Sequence, residues 1–303
     1  NLMYDTILIP TDGSEGALRA AEHGAYLARI FDADVHLLSV VDLQAAAGPF
    51  DAGGVDRAFV ERLEDEGEEA LDDVERAVAG AIEGGAVKVE RAVERGRPSE
   101  TILEYVEEHG VDVVAMGTHG RTGVRRYVAG SVTERVLRLS EVPVLTVRAT
   151  ERSRVTGDYE EILVPTDGSE AASAAVQHGL AIAQHTGARV HAVNVVDADA
   201  VAAGEEPPAG LETALEEEGR RATEAIADRA RRSGLDAVAE TRTGTPAKAL
   251  LAYVEESNID LVGMGTTGRT GLNRYLLGST TERIVRHADV PVLAVNARER
   301  SET

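Results

Sequence analysis

Gly117-Thr118-His119-Gly120-Arg121-Thr122-Gly123 is followed by Gly130-Ser131-Val132-Thr133, and the pattern returns as Gly265-Thr266-Thr267-Gly268-Arg269-Thr270-Gly271 and Gly278-Ser279-Thr280-Thr281. Both copies keep the spacing G-x-x-G, nine residues, then G-S. Glycine lets the main chain take positive φ and come close to a ligand, and unpaired N–H groups at a helix start favour an anion. Ser131, Thr133, Ser279 and Thr281 add hydroxyl donors. Residues 117–131 contain Arg121, Arg125 and Arg126 and no acid, and residues 265–279 carry Arg269 and Arg274, in a chain of net charge −22. Such local reversals of charge are where an anion would settle. The chemistry implied is phosphate binding. The competing reading is glycines that only turn the chain and cap a helix, beside arginines paired to surface carboxylates.

These blocks belong to a duplicated chain. Ile7-Leu8-Ile9-Pro10-Thr11-Asp12-Gly13-Ser14-Glu15 returns as Ile162-Leu163-Val164-Pro165-Thr166-Asp167-Gly168-Ser169-Glu170, and Val40-Val41-Asp42 as Val195-Val196-Asp197, at a shift of 155 residues. Later blocks are shifted by 148, and residues 117–147 match 265–295 at 19 of 31 positions. A period this long means domain duplication rather than a solenoid. With 303 residues the expected domains are 1–150 and 151–303, joined through the polar segment 150–158, which shows no periodicity of a packed element.

In the first half, apolar runs at 6–9, 35–41, 87–93, 112–116 and 144–147 read as strands, and 15–31, 57–83, 98–109 and 131–140 carry helical spacing. Alternation of this kind predicts two α/β domains, each a doubly wound, mainly parallel five-stranded sheet with helices on both faces. In such sheets ligands sit beyond the carboxyl ends of strands at a topological switch point. The glycine blocks follow a predicted strand directly.

Composition narrows the function classes. Cysteine is absent, which removes disulfides, thiolate metal sites and Cys nucleophiles. With 53 acidic against 31 basic residues, most of the surface repels nucleic acid and anionic membranes. No apolar run reaches a membrane span, and Asn1-Leu2-Met3 does not read as a signal peptide, so a cytoplasmic location is expected. Lys88 and Lys248 are the only lysines. That balance fits a halophilic protein, because near 1 M salt the Debye length is only about 3 Å and self-repulsion is screened; an ordinary acidic protein is the alternative.

The glycine spacing, the P-T-D at each domain start and the V-x-D at the end of each second strand resemble the nucleotide-binding branch of the universal stress protein family, over nearly the whole chain, twice. The resemblance implies an adenine nucleotide alpha hydrolase-like fold and an adenine nucleotide such as ATP in each domain. It places Pro10, Thr11 and Asp12, with Pro165, Thr166 and Asp167, at the ribose and adenosine. Val40 and Val195 present backbone groups to adenine. The phosphates fall to Gly117, His119, Gly120, Arg121, Gly130, Ser131, Val132 and Thr133, and to Gly265, Gly268, Arg269, Gly278, Ser279, Thr280 and Thr281. Met116 and Met264 are also assigned to the nucleotide site; Asp12 and Asp167 have a second reading as helix N-caps, and Met116 and Met264 as ends of core strands. Mg²⁺ bound through the phosphates and Asp12 or Asp167 is compatible. Family members pair through their last strands, for which residues 142–147 and 290–295 are the counterparts; that implies pairing of the domains within the chain, with a homodimer also open.

No G-x-x-x-x-G-K-[ST] sequence occurs and neither lysine lies in a glycine block, so the mechanism of energy-coupling NTPases lacks its lysine. His119 is replaced by Thr267 in the second copy, which argues against a required acid–base role. Nucleotide binding in a stress-response or regulatory module is the expectation; a slow ATPase or self-phosphorylating enzyme acting through Ser131 or Ser279, and a nucleotide-free structural protein, are the rivals.

Overall fold

The computed structural model describes residues 3–43, 57–82, 87–120, 130–197, 210–268 and 277–296. Two compact units are formed, residues 1–155 and 156–303.

The first unit runs β1 (Thr6–Thr11), α1 (Glu15–Phe31), β2 (Asp34–Val41), α2 (Arg57–Ile82), β3 (Val89–Arg95), α3 (Pro98–Glu108), β4 (Val113–Gly117), α4 (Ser131–Leu139) and β5 (Val144–Val147). Its strands lie in the order β3-β2-β1-β4-β5, all parallel, with helices on both faces. The second unit repeats this as β6 (Glu161–Pro165), α5 (Glu170–Thr186), β7 (Arg189–Asp197), α6 (Leu211–Arg232), β8 (Ala237–Gly244), α7 (Pro246–Glu256), β9 (Leu261–Gly265), α8 (Ser279–His287) and β10 (Val292–Val295), in the order β10-β9-β6-β7-β8. The expected fold class is the one observed.

Chain chemistry explains the main elements. Central strands such as Ile7-Leu8-Ile9 and Val113-Val114-Ala115 are buried along their length, as parallel strands covered on both faces must be. With few aromatics, close packing is reached by small residues. A Cβ added at Gly24 of α1 would stand 2.8 Å from Ile9 Cδ1, so the helix lies directly on the sheet. Ser14 and Ser169 cap α1 and α5 by accepting from Ala17 N and Ala172 N, both at 3.2 Å. Pro98 and Pro246 open α3 and α7 where no N–H is needed. Asp112 Oδ2 accepts from Asp5 N and Thr6 N, and Asp260 repeats the bond with Glu160 N and Glu161 N, locking the start of each first strand.

Two expectations need correction. Strand β3 lies at 89–95 rather than 87–93, because it is an edge strand whose Glu90, Arg91, Glu94 and Arg95 face solvent, so its apolar pattern does not mark its ends. The connection after β5 was expected to lack packing, yet Ser153 is completely buried. Its main-chain oxygen accepts from His23 Nε2 at 2.8 Å, and its hydroxyl donates to Thr150 O at 3.0 Å. This turn is anchored by hydrogen bonds, which leave no apolar periodicity to read.

Candidate functional site

In each unit strand order reverses between β1 and β4, or β6 and β9, and there the carboxyl ends of two strands open a crevice. After β1 the chain turns at Gly13 (φ 75°), whose N–H donates to Thr11 Oγ1 at 3.1 Å, and Asp12 Oδ1 accepts from Ser14 N at 3.0 Å. Gly168 (φ 79°) makes the same turn in the second unit, with Asp167 Oδ1 accepting from Ser169 N at 2.9 Å. Positive φ is required at these two positions. The cap of α1 and α5 is therefore Ser14 and Ser169, and N-capping does not account for Asp12 or Asp167.

The second strand end arrives opposite. Ser14 Oγ donates to His119 O at 3.3 Å, and a Cβ added at Gly120 would overlap Asp12 Oδ2. In the second unit a Cβ at Gly268 would stand 2.8 Å from Asp167 Oδ2. Gly120 and Gly268 thus leave room for the carboxylate. Gly117 and Gly265 do something else: a Cβ there would lie 2.5 Å from Gly16 C and 2.7 Å from Ala171 C, so they seat α1 and α5 against the strand end.

Gly130 and Gly278 stand before α4 and α8 with φ of −56° and −60°, so neither needs the positive φ that glycine was expected to supply. Each instead donates its N–H back, Gly130 to Thr118 O at 2.6 Å and Gly278 to Thr266 O at 2.7 Å. No side chain caps either helix, so the first-turn amides at Ser131, Val132 and Thr133, and at Ser279, Thr280 and Thr281, have no side-chain cap, as an anion-binding helix start requires. The hydroxyls of Thr133 and Thr281 are already used: they donate to Gly117 O at 2.7 Å and Gly265 O at 2.8 Å. They clamp the glycine loop, contrary to the expectation of further donors to a ligand. Ser131 and Ser279 are exposed.

Pro10 and Pro165 are buried strand residues, and Thr11 and Thr166 are nearly so. Met116 and Met264 are the penultimate residues of β4 and β9 and are buried, with 5% exposure. Val40 is half-buried and lies one residue past the last pair between β1 and β2, Thr11↔Ser39, so only β3 flanks it there. His119 Nδ1 lies 3.0 Å from Thr118 Oγ1, and burial, aided by the charge of Arg148, pushes its pKa below the usual histidine value. A neutral imidazole follows. Arg121, Arg125, Arg126, Arg269 and Arg274 lie outside the described residues. Among the described residues no group of three or more His, Asp or Glu side chains comes together to hold a metal ion.

In the second unit these pieces enclose a cavity of about 540 Å³. Its walls include Pro165, Thr166, Asp167, Val195, Met264, Gly265, Gly268, Gly278, Ser279, Thr280 and Thr281, which are every residue expected there apart from Arg269. Sequence reasoning missed further residues that line it, among them Asn194, Gly219, Leu211, Leu215, Pro246 and Leu250. One signal existed. Gly67 and Gly219 sit inside long, charged helices, where glycine costs about 1 kcal/mol relative to alanine and so asks for a reason.

The model of the universal stress protein family matches residues 3–148 and again 158–296. The chain belongs to that family. A universal stress protein of Methanocaldococcus jannaschii is 38% identical over 150 residues, covering 50% of this chain and 85% of that protein. One from Mycolicibacterium smegmatis is 25% identical over 298 residues, 96% of this chain and 97% of its own. The crystal structure of a universal stress protein from Archaeoglobus fulgidus superposes with a TM-score of 0.73 at 25% identity, covering 96% of this chain and 98% of that one. The tandem arrangement is thus found along whole relatives. No helix among the described residues is long and apolar enough to cross a membrane.

Proposed function

We propose that this universal stress protein binds an adenine nucleotide, ATP foremost, in each domain and works as a stress-response or regulatory module. The observation that carries the reading is the second-domain cavity, where three blocks far apart in sequence meet around a helix start with no side-chain cap. Its volume of about 540 Å³ lies within the usual span of small-molecule sites. The amides opening α8 take the phosphates, Asp167 lies by the ribose, and Val195 lies by the base. Residues 10–12, 40, 117–120 and 130–133 repeat the arrangement in the first domain.

Mg²⁺ fits as a companion of the nucleotide, because a single carboxylate, Asp12 or Asp167, with phosphate oxygens and water is an ordinary magnesium environment. Hydrolysis is slow or absent in this reading, since the one histidine in the glycine blocks has no counterpart in the second domain. Isothermal titration of the full chain with ATP, in molar salt with Mg²⁺, tests the proposal. Two nucleotides per chain are expected; neither heat nor a rise in melting temperature would refute it.

A further inference from the structure

The seam between the third and fourth helices carries opposite charges in the first domain and like charges in the second. Glu100 is the third residue of α3, and Arg135 is the fifth of α4. Arg135 Nη2 donates to Glu100 Oε1 at 2.9 Å, and Arg97 Nη1 lies 3.5 Å from the same oxygen. One carboxylate is therefore shared by two guanidinium groups. The shift of 148 residues replaces Glu100 by Lys248, the third residue of α7, and Arg97 by Thr245, while Arg135 is kept as Arg283, the fifth residue of α8. The two helix starts correspond closely, since Gly130 and Gly278 have φ/ψ of −56°/143° and −60°/141°, and Thr133 and Thr281 make the same bond to the glycine loop. By this correspondence Lys248 faces Arg283 where Glu100 faces Arg135.

Both residues are exposed, and among the described residues neither side chain has an ion pair or a hydrogen bond. The acids of these helices are engaged elsewhere or stand far off: Glu282 pairs with Arg286 at 2.6 Å, and Glu256, at the far end of α7, with Arg242 at 2.8 Å. Neither Lys248 nor Arg283 lines the second-domain cavity, so the seam is separate from the crevice that takes the nucleotide. In a chain of net charge −22, two cations side by side with no acid between them form a local reversal of charge. An anion of two charges set between them removes their mutual repulsion and attracts both.

We propose that Lys248 and Arg283 hold a phosphate-class oxyanion between them, at a second-domain site that the first domain lacks because the Glu100 carboxylate already fills the place. The chemistry of the pair fits that class. The guanidinium presents a planar fork of donors to two oxygens, and the ammonium adds a point charge with donors that turn to a third. A phosphate dianion balances both cations, which a single carboxylate does not. The inference does not depend on nucleotide binding.

Lys88 and Lys248 are the only lysines, so the full chain made with isotope-labelled lysine gives two side-chain NMR signals, and Lys88→Arg tells them apart. The experiment is titration with inorganic phosphate at fixed pH and ionic strength. The Lys248 signal shifts and saturates in the millimolar range, while that of Lys88, exposed at the start of β3, stays in place. Arg283→Gln weakens the Lys248 response roughly tenfold or more, by removing a charged hydrogen-bond donor to the anion. Glu100→Lys adds a third signal, facing Arg135, that responds to phosphate as Lys248 does; a gained response cannot arise from a damaged fold. Both native signals drifting together without saturation, an adventitious ion only, overturns the proposal, as does a Lys248 response unaltered by Arg283→Gln. A parallel titration with ATP separates the sources of phosphate: a Lys248 signal moved by ATP and left in place by inorganic phosphate assigns the pair to the nucleotide and overturns the separate site. A chain that responds to phosphate but gives no heat with ATP refutes the nucleotide reading and leaves this one standing.

Discussion

Two buried histidines set how stability responds to mild acid. His23 of α1 is 2% exposed, and burial, partly offset by its bond to Ser153 O, pushes its pKa down to about 4. His178 holds the same place in α5 and is pushed down to about 4 by burial. Both are neutral in the fold, whereas the unfolded chain takes up protons from about pH 6.5 downward. Between those values the unfolded state binds more protons, so the stability these groups support is complete above the unfolded value and is lost as pH falls toward the folded one. The full depression corresponds to about 3.4 kcal/mol per histidine at low pH, of which about 2 kcal/mol is already lost at pH 5. Most carboxylates are still ionised there. Urea denaturation at pH 7 and pH 5 in molar salt is the assay, comparing the parent with His23→Gln, His178→Gln and the double variant. Glutamine keeps a donor for Ser153 O but cannot titrate. The parent should lose about 2 kcal/mol more per histidine than its variant between the two conditions. Equal losses in parent and double variant would refute the reasoning, by showing that these imidazoles can be protonated in place at little cost.

The glycine loops give two further predictions. Thr133→Val with Thr281→Val strands the carbonyls of Gly117 and Gly265, and should lower stability by about 1–3 kcal/mol per domain in denaturant melts while ATP stoichiometry by calorimetry stays the same. Gly120→Ala with Gly268→Ala should do the reverse, costing little in melting temperature because the displaced groups are the ends of Asp12 and Asp167, but weakening ATP by roughly tenfold or more; unaltered affinity in a folded variant would show that those carboxylates are not at the ribose.

The sequence made legible whatever is written locally and written twice. Pro10-Thr11-Asp12-Gly13-Ser14 and its copy contain their own turn, carboxylate and helix cap, so five consecutive residues fix one rim of the site. The G-x-x-G-x9-G-S spacing located the facing rim but did not separate the jobs of its glycines. Gly117 is small because α1 lies against it, Gly120 because Asp12 does, and Gly130 sits at an ordinary negative φ before an uncapped helix. Such distinctions depend on what stands across the crevice, more than a hundred residues away in sequence. The same holds for Thr133, whose hydroxyl direction no spacing reveals, and for Ser153, buried by hydrogen bonds in a stretch that reads as a polar linker.

Differences between the copies are the hardest signal to weigh, because most are neutral replacements such as Val136 for Ile284, which keep a buried apolar group in place. Ser39 against Asn194 reads no differently in the sequence. In the fold the Asn194 Nδ2 donates to Thr166 O, and Gly219 of α6 leaves room for the amide as Gly67 of α2 does for Ser39. The two copies keep the uncapped starts of α4 and α8 and the glycines beside Asp12 and Asp167, while the buried polar residue near the end of the second strand, Ser39 or Asn194, is one place where they diverge.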